Sequence, residues 1–339
     1  MIRSPTAAIA AVLLLAFAHT AAAATEPVRI DARPFAKFRF ADDTSTFGDL
    51  TFLGGLELHA GDENFGSFSG LEFSPDGRLY AITDRGWWMS ADLIEDAGVP
   101  RDLSDAWMAP MTGPDGARLD GKSRSDAEAL RLDADGALLV AYEGIDAIRR
   151  FTLPLDPDAA PRDVSLPGFV RGLRRNSGLE ALARAPSSGP LGGAMVAIAE
   201  RSTDRSGNHR GFVLGGARAG AFAIGRSGGF DVTDAAFLPD GNLLLLERRF
   251  SFNSGLAVRL SRVRSDLIRP GRTVTGEVLL EALPGDQIDN LEGLAVRQLP
   301  DGAALITLIS DDNHNLLQRT LLLQFRLEAD VPPIPRLRP

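Results

Sequence analysis

Ser69-Gly70-Leu71-Glu72-Phe73, Ser74-Pro75-Asp76-Gly77 and Arg78-Leu79-Tyr80-Ala81-Ile82-Thr83-Asp84 follow one another without a break, and this stretch decides the fold. Its outer pieces are short and largely apolar. Between them a proline pre-sets a turn and a glycine takes the left-handed position, so the stretch reads as a β-hairpin. The opening phrase is an acidic or hydroxyl residue, a small one, then an apolar one. It returns as Glu128-Ala129-Leu130, Glu180-Ala181-Leu182, Asp234-Ala235-Ala236 and Glu292-Gly293-Leu294, with first residues 52 to 59 positions apart. The turn returns as Asp133-Ala134-Asp135-Gly136, Leu238-Pro239-Asp240-Gly241 and Leu299-Pro300-Asp301-Gly302, while the third copy has a longer loop from Ala185 to Gly193. Each copy closes on an apolar run ending in an acid: Asp84, Glu143, Glu200, Glu247 and Asp311. A period near fifty residues, made of strand-like pieces, predicts an all-β chain folded as a β-propeller.

Upstream, residues 1–24 read as a secretory signal, with Arg3, an apolar core from Ala7 to Ala18 and a small-residue cleavage site at Ala22-Ala23-Ala24. Residues 25–339 are then a single exported domain, periplasmic or secreted. Its 315 residues, at about 56 per repeat, give between five and six blades. Six are expected, with five the competing count. The sixth would combine Leu50–Leu58 with Leu316–Leu327, and this pairing of N- and C-terminal strands would close the ring and remove two exposed edges. Thr25–Thr46 is a polar lead-in with a strand near Lys37–Phe40, and Gly54-Gly55 bends the segment after it. In the insertion Ser90–Gly121, Ala91–Ala97 and Leu103–Met108 are candidate helical turns. Trp87-Trp88 either cover a pocket or anchor that insertion.

The formal charge of −9 argues against a nucleic-acid or anionic-membrane partner. No stretch after the signal is long and apolar enough to span a bilayer. The expected partner of this monomer is a small anionic substrate, a cation, or both. With no cysteine, disulfides, thiol catalysis and cysteine-ligated metals are excluded. Gly66-Ser67-Phe68-Ser69-Gly70 places phenylalanine where a serine-hydrolase elbow needs its nucleophile, and no dinucleotide, P-loop or zinc-protease motif occurs.

Equivalent positions of successive blades lie around a common axis, so the repeat converts into two rings. Ser69, Glu128, Glu180, Asp234 and Glu292 form one, and Asp84, Glu143, Glu200, Glu247 and Asp311 the other. Carboxylates brought so close repel unless cations offset them. Oxygen ligands of this kind suit Ca²⁺, which nominates Glu128, Glu143, Glu180, Glu200, Asp234, Glu247 and Glu292 as metal ligands. Arg85, Arg201 and Arg248, each following a closing acid, have the fork that holds an anionic substrate; Lys122 and Arg124 are weaker additions. Asp311 and Asp312, beside Asn313 and His314, offer a further ligand or a base that activates water. Metal-assisted attack by water is the simplest reaction for this set. Two rivals are a calcium-dependent lactonase, by analogy of fold alone, and a non-catalytic binding module whose Glu–Arg pairs only rivet blades together.

Several separated motifs resemble one family. They are Phe68-Ser69-Gly70-Leu71 with Ala81-Ile82-Thr83-Asp84-Arg85-Gly86, Asn176-Ser177-Gly178-Leu179-Glu180-Ala181-Leu182, and Asp289-Asn290-Leu291-Glu292-Gly293-Leu294-Ala295-Val296. Ser310-Asp311-Asp312-Asn313 and Gln318-Arg319-Thr320-Leu321-Leu322 complete the set. In this order, from about Leu50 to Leu327, the chain resembles the bacterial phytase-like family, described by its esterase-like activity of phytase. The resemblance implies distant kinship with calcium-dependent β-propeller phytases, which hydrolyse phosphomonoesters.

Overall fold

The computed structural model describes residues 25–170, 172–173 and 178–329. The expected signal and the Asn176-Ser177 part of the third motif lie outside them. The lead-in carries β1 (Glu26–Pro27), β2 (Ile30–Phe35) and β3 (Thr46–Phe47), followed by β4 (Leu50–Ala60). Next come β5 (Phe68–Phe73), β6 (Leu79–Thr83), β7 (Trp87–Asp96) and β8 (Val99–Pro110). The short helix α1 (Lys122–Ser125) precedes β9 (Ala127–Leu132), β10 (Leu138–Tyr142), β11 (Ala147–Phe151) and β12 (Arg162–Val164). The third group is β13 (Leu179–Arg184), β14 (Met195–Thr203), β15 (His209–Leu214) and β16 (Gly220–Ile224). After β17 (Asp231–Phe237), β18 (Leu243–Ser251) and β19 (Gly255–Val263) come β20 (Thr273–Val274) and β21 (Glu277–Ala282). The last three strands are β22 (Asn290–Gln298), β23 (Ala304–Asp311) and β24 (Thr320–Leu327).

These strands form five sheets among the described residues, where the spacing suggested six. The segments assigned to a sixth blade join the fifth instead: β4 pairs antiparallel with β24, in a sheet ordered β2-β4-β24-β23-β22. The inner strands β5, β9, β13, β17 and β22 touch in succession, and β22 returns to β5. Five apolar clusters match the five sheets, each lying between two neighbours. Leu246 and Leu260 meet Leu308 and Phe325 between the fourth and fifth sheets, for example, and Leu56 and Ile309 meet Leu71 and Met89 between the fifth and first. Each sheet is thus covered on both faces, which is why β6, β10 and β23 are apolar runs rather than alternating ones.

The repeated turn has one geometry. Gly77, Gly136, Gly241 and Gly302 all sit at φ between 83° and 90°, a region open to glycine at little cost. Each donates its N–H back across the turn, to Ser74, Asp133, Leu238 and Leu299 respectively, at 2.9–3.0 Å. The insertion after the first hairpin departs from expectation. Ala91–Ala97 and Leu103–Met108 belong to the long antiparallel hairpin β7–β8 rather than to helical turns, because the arm finds a partner surface beyond its own sheet. Glu95 there receives Arg297 at 2.7 and 3.0 Å and Gln324 at 3.1 Å. Trp88 is fully buried edge-to-face against Phe151, the anchoring alternative. The lead-in strand forms at Ile30–Phe35, not at Lys37–Phe40, and β4 passes through Gly54-Gly55 as one strand.

Candidate functional site

Every inner strand is bulged, and always at the same place in the repeat. The pairing ladders skip Ser69, Glu128, Glu180, Thr233 and Glu292. A bulged residue leaves the ladder and its side chain is re-aimed; these five line one cavity on the axis. The fourth member is therefore Thr233 and not Asp234. Thr233 Oγ1 donates to the Leu291 carbonyl at 3.2 Å, as Ser69 Oγ donates to Ala127 at 2.5 Å, each reaching the following blade. The small residue after the bulge has a steric cause. A Cβ on Gly70 would stand 3.0 Å from the Leu130 nitrogen, and one on Gly293 would stand 3.1 Å from the Gly70 carbonyl carbon.

The second ring shifts by one residue in the same blade. Asp84 and Glu143 donate their N–H groups to Ser67 and Asp126, each two residues before a bulge. Asp311 pairs with Asn290 at that position, and in the fourth blade the equivalent pair is Asp231 and Arg248. Asp84, Glu143, Glu200, Arg248 and Asp311 line the cavity, whereas Glu247 does not. Neighbouring strand residues point to opposite faces, so with Arg248 facing the cavity, Glu247, expected there, points away from it. Its carboxylate instead accepts a short hydrogen bond from Ser261 Oγ.

The cavity holds about 270 Å³. Eight carboxylates line it, from Asp84, Asp126, Glu128, Glu143, Glu180, Glu200, Glu292 and Asp311, against three cations from Lys122, Arg201 and Arg248. Arg248 lies 3.3 Å from Glu292 and 3.7 Å from Glu200, and donates to Asn290 Oδ1 at 2.5 Å. Arg201 lies 3.4 Å from Glu200 and 3.6 Å from Asp231. Lys122, on α1, stands 3.6 Å from Asp84 and 3.8 Å from Asp126. Burial pushes Glu128 and Glu180 well above the usual carboxylate range, and neighbouring carboxylates add to it. Burial likewise pushes Glu200 up to about 7 and Asp311 up to about 8.

Such a set fits a hard divalent cation. Asp126, Glu128 and Glu143 can each offer one oxygen within 4.8 Å of the other two, the spread allowed around one ion with oxygen ligands at about 2.3–2.6 Å. Asp84 Oδ1 and Asp126 Oδ1 are buried with no hydrogen-bond partner. Asp126, two residues before the second bulge, is a cavity residue that the repeat did not single out.

Below the rings the axis is stopped by Arg131, which the sequence reading missed. Its guanidinium donates to the carbonyls of Leu182, Ala235 and Leu294, each two residues past a bulge, at 2.7–3.0 Å. It also pairs with Glu72 at 3.0 Å and with Asp234 at 3.1 Å. Asp234, nominated as a metal ligand, is therefore bound in this buried floor. Two other nominees lie outside the cavity lining. Arg85 is exposed, with Nη1 2.9 Å from His314 Nε2. Asp312 accepts from Ser67 N, His314 N and Thr320 Oγ1, and so orders a turn.

Five sheets around a one-ended, carboxylate-lined axial cavity define a β-propeller. The chain belongs to the phytase-like family, described by its esterase-like activity of phytase, whose model matches residues 63–314. No curated protein sequence matches it. Similar solved structures include a gluconolactonase from Xanthomonas campestris (14% identity, 90% of this chain and 98% of that one, TM-score 0.41). Another is the PQQ-bound aldose sugar dehydrogenase from Streptomyces coelicolor (12%, 88% and 99%, TM-score 0.44). A third is virginiamycin B lyase from Staphylococcus aureus (10%, 88% and 100%, TM-score 0.37).

Proposed function

We propose that this protein is a calcium-dependent hydrolase acting on a phosphoester or related ester in the axial cavity. The observation that carries the reading is the imbalance of eight carboxylates against three cations in one small axial space. Glu128 and Glu143, with Asp126, would hold the cation, and Glu180, Glu200 and Glu292 would complete its surroundings. Bound there, Ca²⁺ would supply Lewis-acid polarisation of the substrate oxygen and lower the pKa of a water. Arg201 and Arg248 would orient the anionic group through their guanidinium forks. Asp311, whose Oδ2 accepts from Asn290 Nδ2 at 3.1 Å, would take the proton from the attacking water. Arg85 and Asp312 would serve around the mouth rather than in the reaction.

A calcium-dependent lactonase is the second reading, favoured by charge. With all groups ionised the lining carries five net negative charges, so one Ca²⁺ leaves three. A neutral lactone tolerates that field better than a phosphate dianion. Calcium titration of the full chain, counting bound ions while following hydrolysis of 4-nitrophenyl phosphate and of a simple lactone, separates the readings. Two or more ions with phosphatase activity support the first, and one ion with lactonase activity the second. Binding without turnover would leave a ligand-binding module, and no binding would sink the calcium site. We further read residues 25–339 as one exported, monomeric domain, periplasmic or secreted, its ring locked by β4 on β24. No helix among the described residues is long and apolar enough to cross a membrane.

A further inference from the structure

We infer that the substrate is amphiphilic, with its ester head in the cavity and an apolar chain laid on one sector of the rim. The inference deepens the hydrolase reading and rests on it for the position of the head.

The cavity itself offers an apolar group nothing, since no aliphatic or aromatic residue lines it. The rim does. Among the described residues the five most exposed large apolar side chains are Leu316, Phe252, Leu317, Phe40 and Phe250, at 102, 98, 91, 64 and 64% exposure. Single exposed apolar residues are ordinary; these five all sit on segments at the cavity end of the fourth and fifth sheets, where exposed apolar side chains are within reach of a ligand that enters the cavity.

Their gathering follows from the chain. Strand β18 passes the cavity at Arg248 and continues into a hairpin tip, where the Phe250 and Phe252 rings stand edge-to-face 5.6 Å apart. Strand β23 ends at the cavity on Asp311, and the loop beyond it carries Leu316 and Leu317. The segment entering β22 links the two. Pro284 abuts Gly255 at the foot of the hairpin, and the Phe40 N–H donates to the Gly285 carbonyl at 3.1 Å. Gln287 and Ile288 accept from Arg319, on the far side of Leu317, at 2.9 and 3.3 Å. The segments that carry these five side chains are thus joined over the fourth and fifth sheets, and β18 and β23 run from the cavity into two of them. The chain's charge of −9 and the acidic mouth oppose an anionic lipid surface as its occupant. An acyl, alkyl or aryl chain carried by the substrate satisfies both the apolar rim and the polar cavity.

The test measures binding of n-alkylphosphonates and of γ-alkyl lactones, each with two to eight carbons in the chain, to the calcium-loaded full chain by calorimetry below micelle concentrations. Turnover of matching alkyl-chain esters is followed in parallel. Affinity is expected to rise roughly two- to fourfold per methylene in at least one series. The triple variant Phe252→Ser, Leu316→Ser, Leu317→Ser should flatten that rise while leaving the shortest ligand and calcium bound as before. A flat series in the native chain, or an equal slope in the variant, overturns the inference. A native dimer that the variant dissociates would also overturn it, by giving the sector to a second copy. A flat series with good turnover removes the rim alone, whereas chain-dependent binding without turnover removes the hydrolase alone.

Discussion

Arg131 Nη2 lies 3.1 Å from both carboxylate oxygens of Asp234, on the axis of the ring and out of contact with water. The two residues are 103 positions apart in sequence. They close the floor of the cavity and join inner strands of different blades at the one place where five strands converge. Burial pushes the Asp234 carboxyl up to about 7 against the pull of Arg131, so the pair is costly to break from either side.

Arg131→Met should therefore destabilise the fold by about 3–5 kcal/mol, because Asp234 and Glu72 are left buried without their cation. Denaturant unfolding measures it. A loss under about 1 kcal/mol would show that the floor relaxes around the missing guanidinium.

Glu128→Gln should weaken calcium binding about tenfold or more, since it removes a charged oxygen from the Asp126–Glu128–Glu143 group. Glu247→Gln should leave calcium affinity unchanged, because Glu247 lies outside the cavity. Equal effects of the two in calorimetric titration would contradict the one-residue shift of the fourth blade.

The calcium-free protein should lose stability as pH rises from about 4 to 8. Glu200 and Asp311 are raised to about 7 and 8, so across this window the folded chain keeps protons that the unfolded chain has released. Where the folded state binds more protons, stability falls with rising pH. Thermal melts in chelator should show the fall, and added calcium should remove most of it. A melting temperature that stays level in chelator would mean these carboxyls are ionised at no cost.

Arg248→Gln should move the two ligands in opposite directions. Calcium should bind more tightly, because a cation 3.3 Å from Glu292 is gone, and inorganic phosphate should bind at least about tenfold more weakly. Weakening of both would make Arg248 a support for the ring rather than a holder of the anion.

The fold class was legible because hairpin punctuation is local. Pro-Asp-Gly and Asp-Gly turns between short apolar runs need only neighbouring residues to act, and the repeat then implied radial symmetry. Both carboxylate rings could be read in four of five blades for the same reason. The fourth blade misled because Asp234-Ala235-Ala236 imitates the pattern one residue late and Glu247 one residue early. A bulge decides which residue leaves the ladder, and periodicity alone cannot tell a spacing of 53 from one of 54.

What only the tertiary structure decided was everything that depends on distant parts of the chain meeting. Blade number turned on whether β4 and β24 built a sheet of their own or extended that of β22 and β23. The helical expectation for Leu103–Met108 gave way to strand because the β7–β8 arm packs on the fifth sheet, and packing overrides a weak local preference. Arg131 had no motif to betray it. A lone arginine in a strand becomes the floor of a site only when four other strands bring carbonyls and carboxylates to its guanidinium, and no local pattern encodes that convergence.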